Sequence, residues 1–317
     1  MGDAVTLLYK HLLACPACAG EIVFQPGTAS CASCGHVFRK TDARDQWDLR
    51  LAVPRARTVI YQLGGPPMAP TNLFEKLPPN PVGEMRDWSA IDPQLIYGNR
   101  LTPELITYFP KAQSSDDWML DLGCGIRNFE TICKEVTGFN YIGVDYEGEG
   151  PDALADAHAL PFKDNSFDFI ISIAVLEHLA FPDVAIEEAF RVLKPGGIFI
   201  GTVAFLEPFH MDSYYHMTHL GTARTLEHAG FEIVAMAPNT EWSGTRAQAE
   251  MTLFPGLPRF AKRHMTSGVT PLSKGMWAFR RLLHKGERTA NMRRLVETTG
   301  GYRFVVQHPM SQTGAQV

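Results

Sequence analysis

The stretch Trp118-Met-Leu-Asp-Leu-Gly-Cys-Gly-Ile-Arg-Asn128 joins an apolar run, 119–122, to two glycines, Gly123 and Gly125. A helix-compatible segment, 129–136, follows. Strand, glycine turn and helix is the grammar of a nucleotide site. Glycine lets backbone approach a ligand closely, and a helix start offers free N–H groups. Twenty residues past Gly125, Asp145 ends a second apolar run, 141–144. A carboxylate there can accept hydrogen bonds from ribose hydroxyls.

The glycines alone fit a dinucleotide and S-adenosylmethionine about equally. The third glycine of the dinucleotide pattern falls on Asn128. Further along, apolar runs and helical segments alternate. Strands are expected at 118–122, 141–145, 155–157, 167–173, 198–203 and 231–236. Helices are expected at 128–137, 182–193 and 222–229. Lys194-Pro-Gly-Gly197 reads as the stop of the second helix, because proline cannot continue it and glycine accepts positive φ. This spacing predicts an α/β fold with a doubly wound, mainly parallel sheet.

Upstream, Cys15-Pro-Ala-Cys18 and Cys31-Ala-Ser-Cys34 are separated by twelve residues. Each pair can aim two thiolates at one point, and two pairs complete a tetrahedral zinc site with no open position. Short strands at 22–24 and 37–39 fit a zinc ribbon over residues 1–53. The shape Leu-Leu-Ala-Cys-Pro-x-Cys, then Cys-x-x-Cys-Gly-x-x-Phe, then Asp48-Leu49 resembles the ribbon family that includes the activator subunit of tRNA methyltransferases. Residues 54–115, broken by prolines, read as a linker or lid.

Seven motifs then occur in one order: Asp121-Leu-Gly-Cys-Gly125, Gly143-Val-Asp145, Ala155-Asp-Ala157, Leu160-Pro-Phe162, Ser166-Phe-Asp168, Val175-Leu-Glu-His178 and Arg191-Val-Leu-Lys-Pro-Gly-Gly197. Together they resemble the class I S-adenosylmethionine-dependent methyltransferases, in the branch typified by quinone-biosynthesis enzymes. The resemblance implies a doubly wound Rossmann-like methyltransferase sheet over 116–317, with the small N-terminal zinc ribbon ahead of it. It implies an antiparallel last strand, here 302–307, after an insertion at 238–300. It also implies a cofactor set of Asp121, Gly123, Cys124, Gly125, Asp145, Tyr146, Asp156, Ala157, Ile173 and Ala174. The glycine loop cradles the methionine part, Asp145 takes the ribose, and Asp156 with the Ala157 N–H meets the adenine. Ile173 and Ala174 lie beside the methyl donor. The family's third glycine falls on Arg127, whose side chain either attracts the cofactor carboxylate or, as preferred here, points to solvent.

Methyl transfer from a sulfonium is an in-line displacement, so the protein mainly binds, aligns and excludes water. A base is needed only where the acceptor loses a proton. His178, just past the fourth strand, is one candidate, and its bland alternative is a residue that packs locally. His210 and Tyr214, in the loop after the fifth strand, are the others. Within 238–300, Trp242, Met276 and Trp277 are candidate walls of the acceptor site, and a dimer interface is the competing use. The basic residues Arg259, Lys262, Arg263, Arg280, Arg281 and Lys285 favour an anionic acceptor or an acidic partner.

A net charge of −5 gives no global basic field for nucleic acid, and no stretch has the length of a membrane span. The N-terminus lacks the pattern of a signal peptide, which with the paired cysteines suggests a reducing, cytoplasmic setting. The expected acceptor is a small molecule such as a natural-product or sugar intermediate. An RNA methyltransferase and a non-catalytic partner-binding protein are the alternatives.

Overall fold

The computed structural model describes residues 8–41, 46–53, 55–61, 101–239, 242–253, 256–266, 269–283 and 290–310. Most of the expected linker or lid, 62–100, lies outside the described residues. So do the side chains of Arg259, Arg263, Arg280, Arg281 and Lys285.

Four short strands come first: β1 (Ile22–Gln25), β2 (Thr28–Cys31), β3 (Val37–Lys40) and β4 (Trp47–Asp48). They pair antiparallel in sequence order. Seven strands follow: β5 (Trp118–Leu122), β6 (Asn140–Asp145), β7 (Ala153–Leu154), β8 (Phe167–Ile173), β9 (Leu193–Ala204), β10 (Glu232–Pro238) and β11 (Gly301–Gln307). Among the described residues all eleven form one sheet, ordered β1-β2-β3-β4-β7-β6-β5-β8-β9-β11-β10. β5 to β9 pair parallel, and β11 inserts antiparallel between β9 and β10. The four-stranded unit is joined to the main sheet by the parallel pair β4–β7, Trp47 to Ala153 and Asp48 to Leu154. The sequence reads these as separate modules. The join uses a two-residue edge strand, which has no periodicity to reveal it.

Helices cover both faces. α1 (Pro103–Ile106) and α2 (Glu130–Thr137) pack on one. Met119, Phe169, Ile171, Ile200 and Val305 face them. α3 (Pro182–Val192) and α4 (His219–His228) pack on the other, against Leu120, Ile142, Val144, Ile170 and Phe199. Alternation along β5 therefore sets Asp121 beside Met119, on the α1–α2 face. Tyr9, Leu12, Phe38, Trp47 and Leu49 of the N-terminal unit share the second core with Leu160 and Phe162. Leu101, Leu105, Ile106 and Phe109 are fully buried in the first, so the packed core begins ahead of residue 116.

Two local expectations are corrected. The third strand is Ala153–Leu154, and Ala155 to Ala157 form its exit, closed by a bridge between Asp156 and Ala159. Lys194 to Gly197 are not a stop after the helix. α3 ends at Val192 with an extended Leu193, and the Lys-Pro-Gly-Gly segment lies within β9. A shift of register between Phe167 and Phe169 absorbs it, and Gly196 takes φ +83°. Between β10 and β11 run α5 (Gly244–Gln248), a π-turn (Ala249–Leu253), α6 (Arg259–Thr266), α7 (Val269–Leu283) and α8 (Ala290–Thr298). Among the described residues no helix is long and apolar enough to cross a membrane.

Candidate functional site

The expected cofactor residues converge at the carboxyl ends of β5 to β8, where ligands bind in open α/β sheets. Gly123 has φ +78°, and a Cβ there would meet Val175 at 2.3 Å. Gly125 has φ +53° and open space where a side chain would stand. The first glycine is thus required by packing and the second leaves room for a ligand. The Gly125 N–H donates to Asp145 Oδ2 at 2.8 Å, and the Tyr146 N–H to Asp145 Oδ1 at 2.7 Å. Asp145 therefore fixes the glycine loop as well as facing the site.

Beneath the loop, Asp121 is fully buried and accepts from the Tyr141 hydroxyl at 2.6 Å. Its other oxygen, Oδ1, has no hydrogen-bond partner among the described residues. Burial pushes this carboxyl up to about 7; the Tyr141 hydrogen bond opposes the shift, and the Asp145 charge adds to it. Burial also pushes the Cys124 thiol far up, so Cys124 is a neutral, small residue in the turn.

Arg127 departs from the expected solvent orientation. Its guanidinium pairs with Glu130 at 2.9 Å and with the buried carboxylate of Asp152, and lies 5.1 Å from the Tyr141 ring centroid. Asp152 in turn accepts from the Gly143 N–H at 2.9 Å. An uncompensated Asp152 is what solvent exposure of Arg127 would leave behind. Arg127 holds φ +63°, the left-handed conformation that glycine adopts freely. Arg127→Gly would relieve about 1–2 kcal/mol of backbone strain. Stranding a buried charge costs about 3–5 kcal/mol, and that loss is larger. The expected net result is a stability lower by about 2 kcal/mol, read from urea midpoints; a more stable variant would contradict it.

Asp156 Oδ1 accepts from both the backbone N–H (2.9 Å) and Nδ1 (2.6 Å) of His158. Burial raises the Asp156 pKa, but these His158 contacts outweigh it and hold the carboxylate below its ordinary value. The Phe181 N–H donates to His158 Nε2 at 3.2 Å, which assigns the ring proton to Nδ1. Ala157 is buried. Ile173 is buried at the end of β8, and Ala174 follows at φ +57° with its N–H on Thr202 Oγ1 at 2.9 Å.

His178 ends a 3-10 turn, Leu176–His178, that starts beside Val175. The rings of His178 and His210 stand edge to face, 5.2 Å apart. The loop carrying His210 is strapped to this turn by the Tyr214 and Tyr215 N–H groups, which donate to Glu177 O at 2.7 and 3.1 Å. Tyr214 joins the cluster by its backbone, while the residue is 64% exposed. Trp242 reaches the same loop through Nε1 to Glu207 Oε1, 2.7 Å. Met276 is 62% exposed on α7, and Trp277 is half-buried. Glu177, buried beside His178, escaped the sequence reading because it was treated only as part of a motif. So did His158, although its spacing of two from Asp156 is that of an Asx-type contact.

The four cysteine sulfurs also converge. Cys15 and Cys34 Sγ are 3.7 Å apart, and Cys18 and Cys31 Sγ 3.4 Å. The edge of a tetrahedron with ~2.3 Å zinc–sulfur bonds is close to this spacing.

Residues 120–201 match the family described as a methyltransferase domain. The chain is 31% identical over 170 residues to methyltransferase GfsG of Streptomyces halstedii, which covers 46% of this chain and 59% of that protein. It is 32% identical over 133 residues to the ubiquinone/menaquinone biosynthesis C-methyltransferase UbiE of Shewanella woodyi, covering 38% and 51%. The chain therefore spans about half the length of these curated relatives. Among solved structures, the [4+2]-cyclase SpnF aligns with TM-score 0.43 at 21% identity, over 66% of this chain and 80% of that one. Residues 120–201 are thus a class I S-adenosylmethionine-dependent methyltransferase domain, on a Rossmann-like mixed sheet.

Proposed function

We propose that the protein is an S-adenosylmethionine-dependent methyltransferase acting on a small-molecule acceptor with apolar surface. The observation that carries this reading is the single loop made by Gly123, Gly125 and Asp145, braced over the orphaned buried oxygen of Asp121. A cationic methionine moiety is the partner that oxygen lacks, which is the sense in which these residues fit the cofactor. Asp145 and Tyr146 then border the ribose. Asp156, through the oxygen His158 does not occupy, and the Ala157 N–H meet the adenine. Cys124 supports the turn, and Ile173 and Ala174 flank the transferred methyl. When bound, the cofactor supplies an electrophilic methyl on sulfur, and the chain aligns it and excludes water.

His178, His210 and Tyr214 face the acceptor, bind its reacting group and handle its proton. Phe209 and Met211, 73% and 81% exposed on the same loop, support an apolar acceptor. One relative named above, UbiE, carries a quinone-biosynthesis name, which agrees with this class. Cys15, Cys18, Cys31 and Cys34 would hold a structural zinc in an N-terminal ribbon, supported by their sulfur spacing.

The test offers radiolabelled S-adenosylmethionine with a metabolite extract and, separately, with total RNA. Label is expected in an organic-soluble product and not in RNA; label in RNA would overturn the small-molecule reading. His178→Ala and His210→Ala are expected to lower turnover about 10²–10⁴-fold at unchanged S-adenosylhomocysteine affinity. Full activity in both would remove them from the chemistry.

A further inference from the structure

We propose that Glu177, His178 and His210 form a second metal site, for a first-row divalent cation, at the acceptor end of the cleft. The inference rests on the acceptor-side reading above and names what that side holds.

Each of the three residues offers one ligand atom, and these atoms all lie within 4.8 Å of one another. Glu177 is buried, and both imidazoles are half-buried, unlike the exposed carboxylate groups that attract cations only loosely. Bonds of ~2.1 Å require the three atoms to move inward by under roughly 1 Å. The loop bearing His210 permits this, because its anchors are backbone bonds on either side of the imidazole: Phe205 N–H to Gly300 O, and Tyr214 N–H to Glu177 O.

The second observation is the state of the His210 ring. Nδ1 lies 2.9 Å from the carbonyl of Pro208, an atom that can only accept. The ring proton is therefore on Nδ1 in the neutral imidazole, and the lone pair is on Nε2. A backbone carbonyl behind the distal nitrogen is the usual way a histidine ligand is oriented. Glu207 Oε2 stands 3.7 Å from Nε2, beyond hydrogen-bond range. Its other oxygen is held by Trp242, so Glu207 adds negative potential beside the cluster without occupying that nitrogen.

Two imidazoles and one carboxylate make a set that suits zinc, cobalt, nickel or iron(II), and it leaves coordination positions open. It contains no sulfur, which separates it chemically from the four-cysteine site. The open positions face the acceptor side, so the fitting acceptor carries an oxygen donor such as a hydroxyl or enol. A cation bound to that oxygen would make it easier to ionise; with the cation bound, His178 and His210 act on the reacting group through it and take no proton on the ligating nitrogens.

The probe is Co²⁺, added to the full chain with zinc already on the cysteines. One further equivalent is expected to bind with weak visible bands and no thiolate charge-transfer band. Glu177→Gln and His210→Ala should each weaken this binding by at least about 10-fold, the lower end of what loss of even an outer partner costs. Glu177 is buried and its variant has some chance of misfolding. His210→Ala, in a surface loop, is the second arm, and S-adenosylhomocysteine titration confirms a folded cofactor site in each. No Co²⁺ bound beyond the cysteine site, or equal binding by His210→Ala, would overturn the proposal. Loss of S-adenosylhomocysteine binding in the wild type would instead overturn the methyltransferase reading, so the two failures are distinct.

Discussion

Removing the zinc proposed for Cys15, Cys18, Cys31 and Cys34 is expected to abolish S-adenosylhomocysteine binding as well as to unfold the N-terminal strands. Structural zinc contributes about 10–16 kcal/mol to the folding of small domains that hold it, far more than four short strands supply. Here the same strands border the cofactor cleft. β4 lies parallel to β7, and the Leu49 N–H continues the ladder to Leu154 O at 2.9 Å. Arg50 donates to Tyr146 O at 2.9 Å, and its guanidinium lies 5.0 Å from the Tyr146 ring centroid. The Tyr9 hydroxyl donates to Asp152 O at 3.2 Å, next to the Arg127 and Gly143 contacts of Asp152. Loss of the unit would therefore expose the β7 edge and release the backbone on both sides of Asp145. Cys31→Ser isolates this effect from any cation at Glu177, and calorimetry with S-adenosylhomocysteine reads it. Unchanged affinity in that variant, or no zinc in freshly purified reduced protein, would contradict the expectation.

That coupling is what the sequence did not disclose. Local signals were strong for β5, β6 and β8, because each is a buried apolar run with a turn signal at its end. Asp145 follows from its place at the end of one such run, whereas Asp121 and Asp156 are implied by the resemblance their motifs carry. β4 and β7 are two residues each, too short for any period, and their pairing depends on residues about a hundred positions apart. Arg127 was misread for a related reason. Its partner Asp152 lies 25 residues away in a loop, and exposure is the default expectation for an arginine. His178 and His210 are legible in the sequence as residue types near strand ends. Their approach to 5.2 Å depends on a loop tied to Glu177 through backbone bonds, which any sequence can make. What the exposed Phe260 of α6 and Leu272, Met276 and Phe279 of α7 face is not given by periodicity.

Cofactor affinity is expected to fall with falling pH below about 7, and Asp121→Asn should remove the dependence. The carboxyl is pushed up to about 7 by burial, with the Tyr141 hydroxyl opposing and Asp145 reinforcing the shift. In the cofactor-free protein it is therefore close to half protonated at neutral pH. A cation bound at the loop favours the ionised form, so binding at lower pH must expel a proton. The affinity then drops by up to about 10-fold per pH unit below the transition and levels off above it. Stability runs the other way. A folded-state pKa above the ordinary carboxylate value makes this group's contribution greatest below about 3.8, and that contribution is lost as pH rises through about 7. The shift corresponds to a penalty on the order of 4 kcal/mol once the group is ionised in both states. Asp121→Asn keeps an acceptor for Tyr141 and carries no charge, so the cofactor-free variant should melt higher than wild type, by a margin that grows from about pH 5.5 to about pH 7 and stays level to about pH 8.5. The same variant should bind S-adenosylhomocysteine more weakly at high pH, because the orphaned Oδ1 no longer offers a full negative charge to the ammonium. Thermal melts and calorimetry over that range separate the two effects. An unchanged slope in Asp121→Asn would assign the titration to another group, and a flat affinity profile in the wild type would leave Asp121 as a buried brace for Tyr141 alone.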